Sequence, residues 1–257
     1  MGWSERQVAM LAEMGIRVWS TPEAAAEAAS PPPELRAAVV AASPQREAAG
    51  AAAPAALGAR PLGIDTMGWP ELREAVAGCT ACKLCSGRTQ TVFGVGNERA
   101  HWMIVGEAPG EQEDQQGEPF VGKSGQLLDN MLRALGLTRG DAPADQQVYI
   151  ANTVKCRPPG NRNPEPAELA QCEPFLIRQI ALLQPRIILA MGRFAVQSLL
   201  RSTEPIGRLR GRVHQYQGVP LVVTYHPAYL LRNPEDKSRA WDDLCLAREA
   251  LQAHTTA

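Results

Sequence analysis

The sequence has no large excess of charge of one sign, few aromatic residues and no long apolar run. Its 26 Lys and Arg nearly balance 27 Asp and Glu, and aromatic residues make up 5 % of the 257 positions. Balanced charge excludes a polybasic protein, although a local basic patch is enough to bind nucleic acid. Because no apolar stretch approaches the roughly 18 residues of a membrane span, we expect no membrane partner.

The N-terminus also lacks the basic segment and apolar core that mark a secretory signal, so we expect a cytoplasmic protein. In that reducing compartment, the six cysteines indicate a metal site before they indicate disulfides. The apolar content of 45 % excludes a wholly disordered chain. The length predicts one compact domain with additional segments.

Large apolar residues are scarce in residues 21–60, which contain 17 Ala and 6 Pro. Such a segment forms neither a long helix nor a core. We predict a short helical appendage over residues 1–20, a disordered Ala/Pro-rich linker over 21–65 and a globular domain over 66–257. The appendage has apolar residues at helical spacing over residues 4–19. It is either a loosely packed addition or a peptide that docks an unidentified protein partner.

The globular part alternates short apolar runs with amphipathic segments, which indicates βα units and a largely parallel sheet. Ligands of such sheets bind beyond the carboxyl ends of the strands. Strands are predicted over 102–105, 147–154, 186–191, 213–216 and 220–225. Helices are predicted over 70–77, 124–135 with Ser124 as its cap, 166–183, 193–200 and 235–253.

Three of these strands end in polar residues that we expect to meet in one cleft. The acidic loop Gly106–Asp114 follows the first strand, Asn152 lies at the end of the second, and His226 follows the last. An amide can read the edge of a base, and an imidazole can stabilise negative charge on a leaving group. A carboxylate of the loop can orient water, and Phe120 can stack on a base. Each residue alone is more often structural, and it is their shared placement that favours a site.

The cysteines form an irregular set. Cys79 and Cys82 are two residues apart, Cys85 extends this pair, and Cys156 and Cys172 follow far downstream. An iron–sulfur cluster held by four thiolates accepts such spacing. A zinc site or buried thiols remain alternatives, and Cys85 could replace Cys82 as a ligand.

Two further groups are candidates for DNA contacts. The first is a basic run, which is either a solvated face or a set of phosphate contacts. The second is a pair of leucines with an arginine, which could form a wedge that enters a base stack. The basic run comprises Arg208, Arg210 and Arg212, and the wedge comprises Leu230, Leu231 and Arg232.

Three segments together carry a resemblance to a known family. They are the loop from Gly106 with Gly117-Glu-Pro-Phe-Val-Gly, the segment Asn152-Thr-Val-Lys-Cys-Arg-Pro-Pro, and the segment His226-Pro-Ala-Tyr-Leu-Leu-Arg-Asn-Pro. They resemble the motifs of family 4 uracil-DNA glycosylases. The resemblance implies a three-layer α/β/α fold around a central, mostly parallel four-stranded sheet. It also implies a monomer that excises uracil from single- or double-stranded DNA and so starts base-excision repair.

The resemblance further implies roles for single residues. Phe120 would stack on the flipped uracil, and Asn152 would bind its edge. The backbone of Glu107 and Ala108 would contact the base, and His226 would stabilise the uracil anion.

The resemblance leaves Glu107 and Glu113 as the carboxylates that would position water. Four cysteines match the family's ligands of a [4Fe-4S] cluster, which would be structural because hydrolysis transfers no electron. These are Cys79, Cys82, Cys156 and Cys172. Two other function classes are alternatives. One is a non-catalytic iron–sulfur protein that binds DNA in association with a polymerase, and the other is a redox enzyme that uses the cluster for electron transfer.

Overall fold

The computed structural model describes residues 58–256. The expected appendage and the linker up to residue 57 lie outside these residues. Ile64 is already buried, and it packs with Leu72, Val76 and Phe175 in a small core. Residues just before the expected boundary at residue 66 therefore already belong to the folded domain.

The sheet combines four parallel central strands with two antiparallel edge strands. The expected four-stranded parallel core is confirmed, and the two short edges extend it to six strands. One edge strand, Val213–Tyr216, is joined to its neighbour by a tight turn at Gln217 and Gly218, which both have positive φ. The strands are β1 Val95–Gly96, β2 Trp102–Gly106, β3 Val148–Asn152, β4 Ile187–Met191, β5 Val213–Tyr216 and β6 Val219–Thr224. Their order in the sheet is β1-β3-β2-β4-β6-β5.

Five helices lie within a few residues of their expected positions, and three short helices, Glu111–Gln116, Ile206–Leu209 and Pro227–Arg232, were not predicted. The helices are α1 Trp69–Ala77, α2 Glu111–Gln116, α3 Lys123–Ala134, α4 Pro166–Leu183, α5 Arg193–Leu200, α6 Ile206–Leu209, α7 Pro227–Arg232 and α8 Lys237–Thr256. The expected cap at Ser124 is wrong: α3 begins after Gly122, which places Ser124 inside its first turn.

The two faces of the sheet are covered by different helices. Along β2, Met103 and Val105 point to the face covered by α4 and α5. Trp102 and Ile104 point to the opposite face, which α3 and α8 cover. Since side chains alternate along a strand, a strand buried on both faces must be apolar throughout. This arrangement confirms the three-layer α/β/α fold.

The parallel register brings strand ends together at one edge of the sheet. Gly106 at the end of β2 pairs with Asn152 at the end of β3. Thr224 at the end of β6 pairs with Met191, and His226 follows two residues later. The three polar strand ends therefore share one edge, as the sequence predicts. Within residues 58–256, none of the helices has the length and apolarity needed to cross a membrane.

Candidate active site

A cleft of about 940 Å³ opens at this edge of the sheet. Its lining includes all five residues that the resemblance assigns to the base, namely Glu107, Ala108, Phe120, Asn152 and His226. The structure therefore brings together residues that are more than a hundred positions apart in the sequence.

Asn152 is the last residue of β3 and is 2 % exposed. Its side-chain Oδ1 is buried without a hydrogen-bond partner, whereas its backbone oxygen accepts a bond from Lys155 Nζ at 2.8 Å. Leaving a buried acceptor unpaired costs about 1–3 kcal/mol. A ligand that brings an N–H to this oxygen recovers that free energy.

Phe120 is buried and has a φ of 56°, in the left-handed region that few residues other than glycine adopt. Its ring lies near Gly106, where an added Cβ would come within 2.7 Å of Cε2 and Cζ and would also meet Asn152 Oδ1. An added Cβ at Gly125 would collide with the backbone carbonyl of Phe120. Both glycines are therefore required by close approach, which the sequence alone does not reveal.

His226 caps α7: its Nδ1 accepts a hydrogen bond from the backbone N–H of Ala228 at 3.2 Å. Burial lowers the pKa of His226 to about 4, and the charge of Arg232 acts in the same direction. The imidazole is therefore neutral near pH 7. Because Nδ1 accepts, the proton is on Nε2, and Nε2–H is the donor available to a ligand.

Glu107 follows β2 directly. Its backbone oxygen accepts hydrogen bonds from Val154 N at 3.2 Å and from Thr153 Oγ1 at 2.5 Å, which fixes the loop. Burial raises the pKa of its carboxyl, and the charge of Arg193 opposes that rise. Arg193 lines the same cleft. No motif in the sequence marks Arg193, but it follows the end of β4 by two residues, where the strand-end rule also applies.

Glu113 has a different role from the one expected. Its Oε2 accepts from Gly110 N at 3.1 Å, and its Oε1 accepts from Val121 N and Gly122 N at 3.1 and 3.3 Å. Both oxygens are therefore engaged by backbone donors. The carboxylate makes one half of a capping box at α2, since Gly110 has no side chain to return the bond, and it holds the loop beside Phe120. The expectation that it positions water is therefore not supported.

The two leucines after His226 differ sharply in exposure: Leu230 is 0 % exposed and Leu231 is 45 % exposed. Successive side chains on a helix are about 100° apart, so one of two neighbours can face the core while the other faces solvent. The prediction that Leu230 contacts DNA is wrong, because it is a core residue. Leu231 and Arg232 are exposed and remain predictions.

Within the basic run, Arg210 is also not free to contact a phosphate. Its Nε pairs with the fully buried carboxylate of Asp243 at 3.0 Å. Losing either partner would leave a buried charge unpaired, so this contact is structural. Arg208 and Arg212 are exposed and remain candidates.

A second cavity is lined by cysteines, between α1, the 3₁₀ turn Lys83–Ser86 and α4. Burial raises the pKa of Cys156 to about 11 and that of Cys172 to about 12, so an electropositive group is needed to hold them as thiolates. The cysteines in its lining are the four expected ligands, Cys79, Cys82, Cys156 and Cys172, together with Cys85.

The cavity also provides donors to sulfur. Arg88 Nη1 lies 3.0 Å from Cys156 Sγ, and the backbone N–H of Lys155 lies 3.2 Å from Cys172 Sγ. Hydrogen bonds from N–H groups to the ligating sulfur atoms are typical of iron–sulfur sites. In residues 58–256, no three His, Cys, Asp or Glu side chains converge as a single ion requires. Thiolates are the ligands that an iron–sulfur cluster requires, and five cysteines line this one cavity, so the donor set fits such a cluster.

Comparison with known proteins agrees with this geometry. Residues 93–245, more than half of the chain, match the model of the uracil DNA glycosylase superfamily. A type-4 uracil-DNA glycosylase of Thermotoga maritima is 44 % identical over 65 % of this chain and 84 % of its own length. One of Pyrobaculum aerophilum is 42 % identical over 68 % and 91 %, respectively. A type-5 enzyme of the same organism is 32 % identical over 52 % and 64 %. This chain therefore belongs to the uracil DNA glycosylase superfamily.

Proposed function

We propose that the chain is a uracil-DNA glycosylase, which flips uracil out of DNA and hydrolyses its N-glycosidic bond to leave an abasic site. The observation that carries this proposal is the buried Asn152 Oδ1 without a partner. Uracil offers N3–H to such an acceptor, whereas cytosine has no hydrogen on N3. A site built to bind one hydrogen-bonding pattern rejects the other by about 10⁴-fold or more.

The flipped base would lie against Phe120, with its edge at Asn152 and with the backbone of Glu107 and Ala108 beside it. As the glycosidic bond breaks, negative charge develops on uracil, and the neutral His226 would stabilise it through Nε2–H. A preorganised donor of this kind is worth about 10²–10³ in rate.

The opposite charge develops on the sugar, and the Glu107 carboxylate is placed to stabilise it or to orient the attacking water. This role requires an ionised carboxylate. Burial opposes ionisation and Arg193 favours it, so the two groups would act together.

The cysteine cavity would hold a [4Fe-4S] cluster through Cys79, Cys82, Cys156 and Cys172, with Cys85 as an alternative ligand to Cys82. When bound, the cluster would cross-link the segment after α1 to α4. Hydrolysis moves no electron, so its contribution would be to folding. The donor pattern around Cys156 and Cys172 supports this assignment.

Further properties belong to the same proposal. The protein would act as a cytoplasmic monomer on single- or double-stranded DNA. Residues 4–19, whose apolar residues recur at helical spacing, would be either a loosely packed addition or a peptide that docks a protein partner. An iron–sulfur DNA-binding protein without catalysis is not favoured, because it has no need for a buried acceptor in a cleft.

The test uses the purified protein with a uracil-containing oligonucleotide and with otherwise identical thymine and cytosine oligonucleotides. Hot alkali cuts DNA at abasic sites. We expect strand cleavage only with uracil, on both duplex and single-stranded substrates. DNA binding without abasic sites would refute the proposed activity.

A further inference from the structure

One buried lysine connects the cysteine cavity to the residue that faces the base. Lys155 is 2 % exposed and follows Asn152 by three residues. Its Nζ donates to the backbone oxygen of Asn152 at 2.8 Å and to Gln179 Oε1 at 2.6 Å. The ammonium group therefore bonds directly to the residue whose side chain is presented to the cleft.

The second partner of Lys155 is itself fixed. Gln179 is fully buried on α4, and its Nε2 donates to the backbone oxygen of Phe93 at 2.9 Å and to Tyr149 Oη at 3.1 Å. A buried amide with both ends bonded has one favoured orientation. Gln179 thus holds Nζ at one point, and Nζ in turn fixes the end of β3.

On its other side, Lys155 belongs to the cysteine cavity. It lines that cavity, its backbone N–H donates to Cys172 Sγ at 3.2 Å, and Cys156 is its neighbour in the chain. Four thiolates bring net negative charge to the cavity. A buried ammonium is costly unless opposite charge lies nearby, so ligating thiolates in this cavity would stabilise Lys155 in its place.

We propose that Lys155 is a positioning residue that fixes the backbone of Asn152 and makes uracil recognition depend on the occupied cysteine cavity. The inference rests on the proposed function. It gives the cluster a consequence beyond folding, because loss of the negative charge would release the contact that aligns Asn152.

The first test replaces Lys155 by Arg, which keeps the positive charge but moves the donor. The planar guanidinium cannot reproduce the position of the ammonium between two oxygens. We expect Lys155→Arg to keep wild-type iron content and cluster reduction potential, whereas kcat for uracil excision falls by about tenfold or more, as small misplacements do. A folded, iron-loaded Lys155→Arg with wild-type kcat and KM would overturn the proposal.

The second test is independent of the first and compares Lys155→Met with Arg88→Met. Arg88 also donates to a cluster cysteine, at 3.0 Å from Cys156 Sγ, but it does not contact Asn152. Both variants lose a positive charge near the cluster, so both reduction potentials become more negative. At equal iron content, we expect Lys155→Met to excise uracil at least about tenfold more slowly than Arg88→Met. Equal rates would overturn the proposal.

Wild-type protein in the same assays separates the two claims. If the wild type, loaded with iron, releases no uracil, the proposed function fails. If it releases uracil and the Lys155 variants match their controls, the function stands and the role of Lys155 fails.

Discussion

The rings of Phe120 and His226 lie face to face, with centroids 5.2 Å apart and planes inclined by 28°. A base sandwiched between two rings needs roughly 7 Å, since each stacked contact takes about 3.5 Å. The two rings therefore leave no room for a base between them, and a base that stacks on Phe120 would have to lie beside the pair. The contact also keeps the imidazole in an apolar setting, which agrees with its lowered pKa.

The depressed pKa of His226 predicts a pH dependence of stability. Between pH 6.5 and about 4, the unfolded chain binds a proton on this histidine that the folded chain does not bind. The free energy of unfolding therefore falls as the pH drops through that window. His226→Asn keeps a side-chain acceptor for the cap of α7 and removes the titration. Its melting temperature should fall less steeply over this range, and parallel slopes would contradict the assignment.

Gly106 should not tolerate a side chain. In Gly106→Ala, the new Cβ would displace the ring of Phe120 and the amide of Asn152, so we expect uracil excision to fall by about 10²-fold, as for small misplacements of reacting groups. Gly207→Ala is the matched control, because an added Cβ there meets no atom within 4 Å. Comparable kcat/KM values for the two variants would show that the close packing at Gly106 is irrelevant.

Periodicity and the strand-end rule predicted the parallel core of the sheet and the grouping of polar residues at one of its edges. The parallel strands were found because burial on both faces requires continuous apolar runs, and the rule then placed Asn152 and His226 at one edge. The helices α2 and α7 were missed because acidic residues and Pro227 in short segments resemble turns. Glu113 lies three positions after Gly110, which is the spacing at which a Glu bonds back to the backbone at the start of a helix. This spacing could have indicated the structural role of Glu113.

Other features of the site could not be obtained from the sequence. The buried contacts of Lys155 and Gln179 join polar residues 24 positions apart, and no local pattern marks a lysine as buried. The difference between Leu230 and Leu231 depends on which way a short helix faces the core. Both are consequences of tertiary packing, which overrides what single residue types indicate.

Leu231→Ala should slow excision from duplex DNA far more than from single-stranded DNA. Flipping a base out of a duplex costs a few kcal/mol of unstacking, which an inserted side chain helps to offset, and this cost is much smaller in a single strand. Leu230→Ala is the contrasting variant. Because Leu230 is a core residue, we expect it to lower the free energy of unfolding by about 2–5 kcal/mol. A wild-type ratio of duplex to single-strand rates in Leu231→Ala would exclude the wedge.

Arg193 should set the acid limit of activity. Its charge opposes the rise in the pKa of Glu107 that burial causes. In Arg193→Gln this pKa rises further, so the acid limb of the kcat profile should move to higher pH. Arg212→Gln, which changes an exposed arginine of the basic run, serves as the control and should leave that limb in place. An unshifted limb in Arg193→Gln would mean that the ionisation of Glu107 does not control the rate.

The central claim is that Asn152 recognises uracil, and the most direct measurement is kcat/KM of Asn152→Asp on a uracil-containing duplex. The substitution keeps the shape of the side chain and replaces its NH₂ by an acceptor, which faces uracil O4 without a donor. We expect a loss of at least about 10²-fold, with folding and iron content unchanged. An unchanged kcat/KM would contradict the assignment of Asn152 and the account built on it.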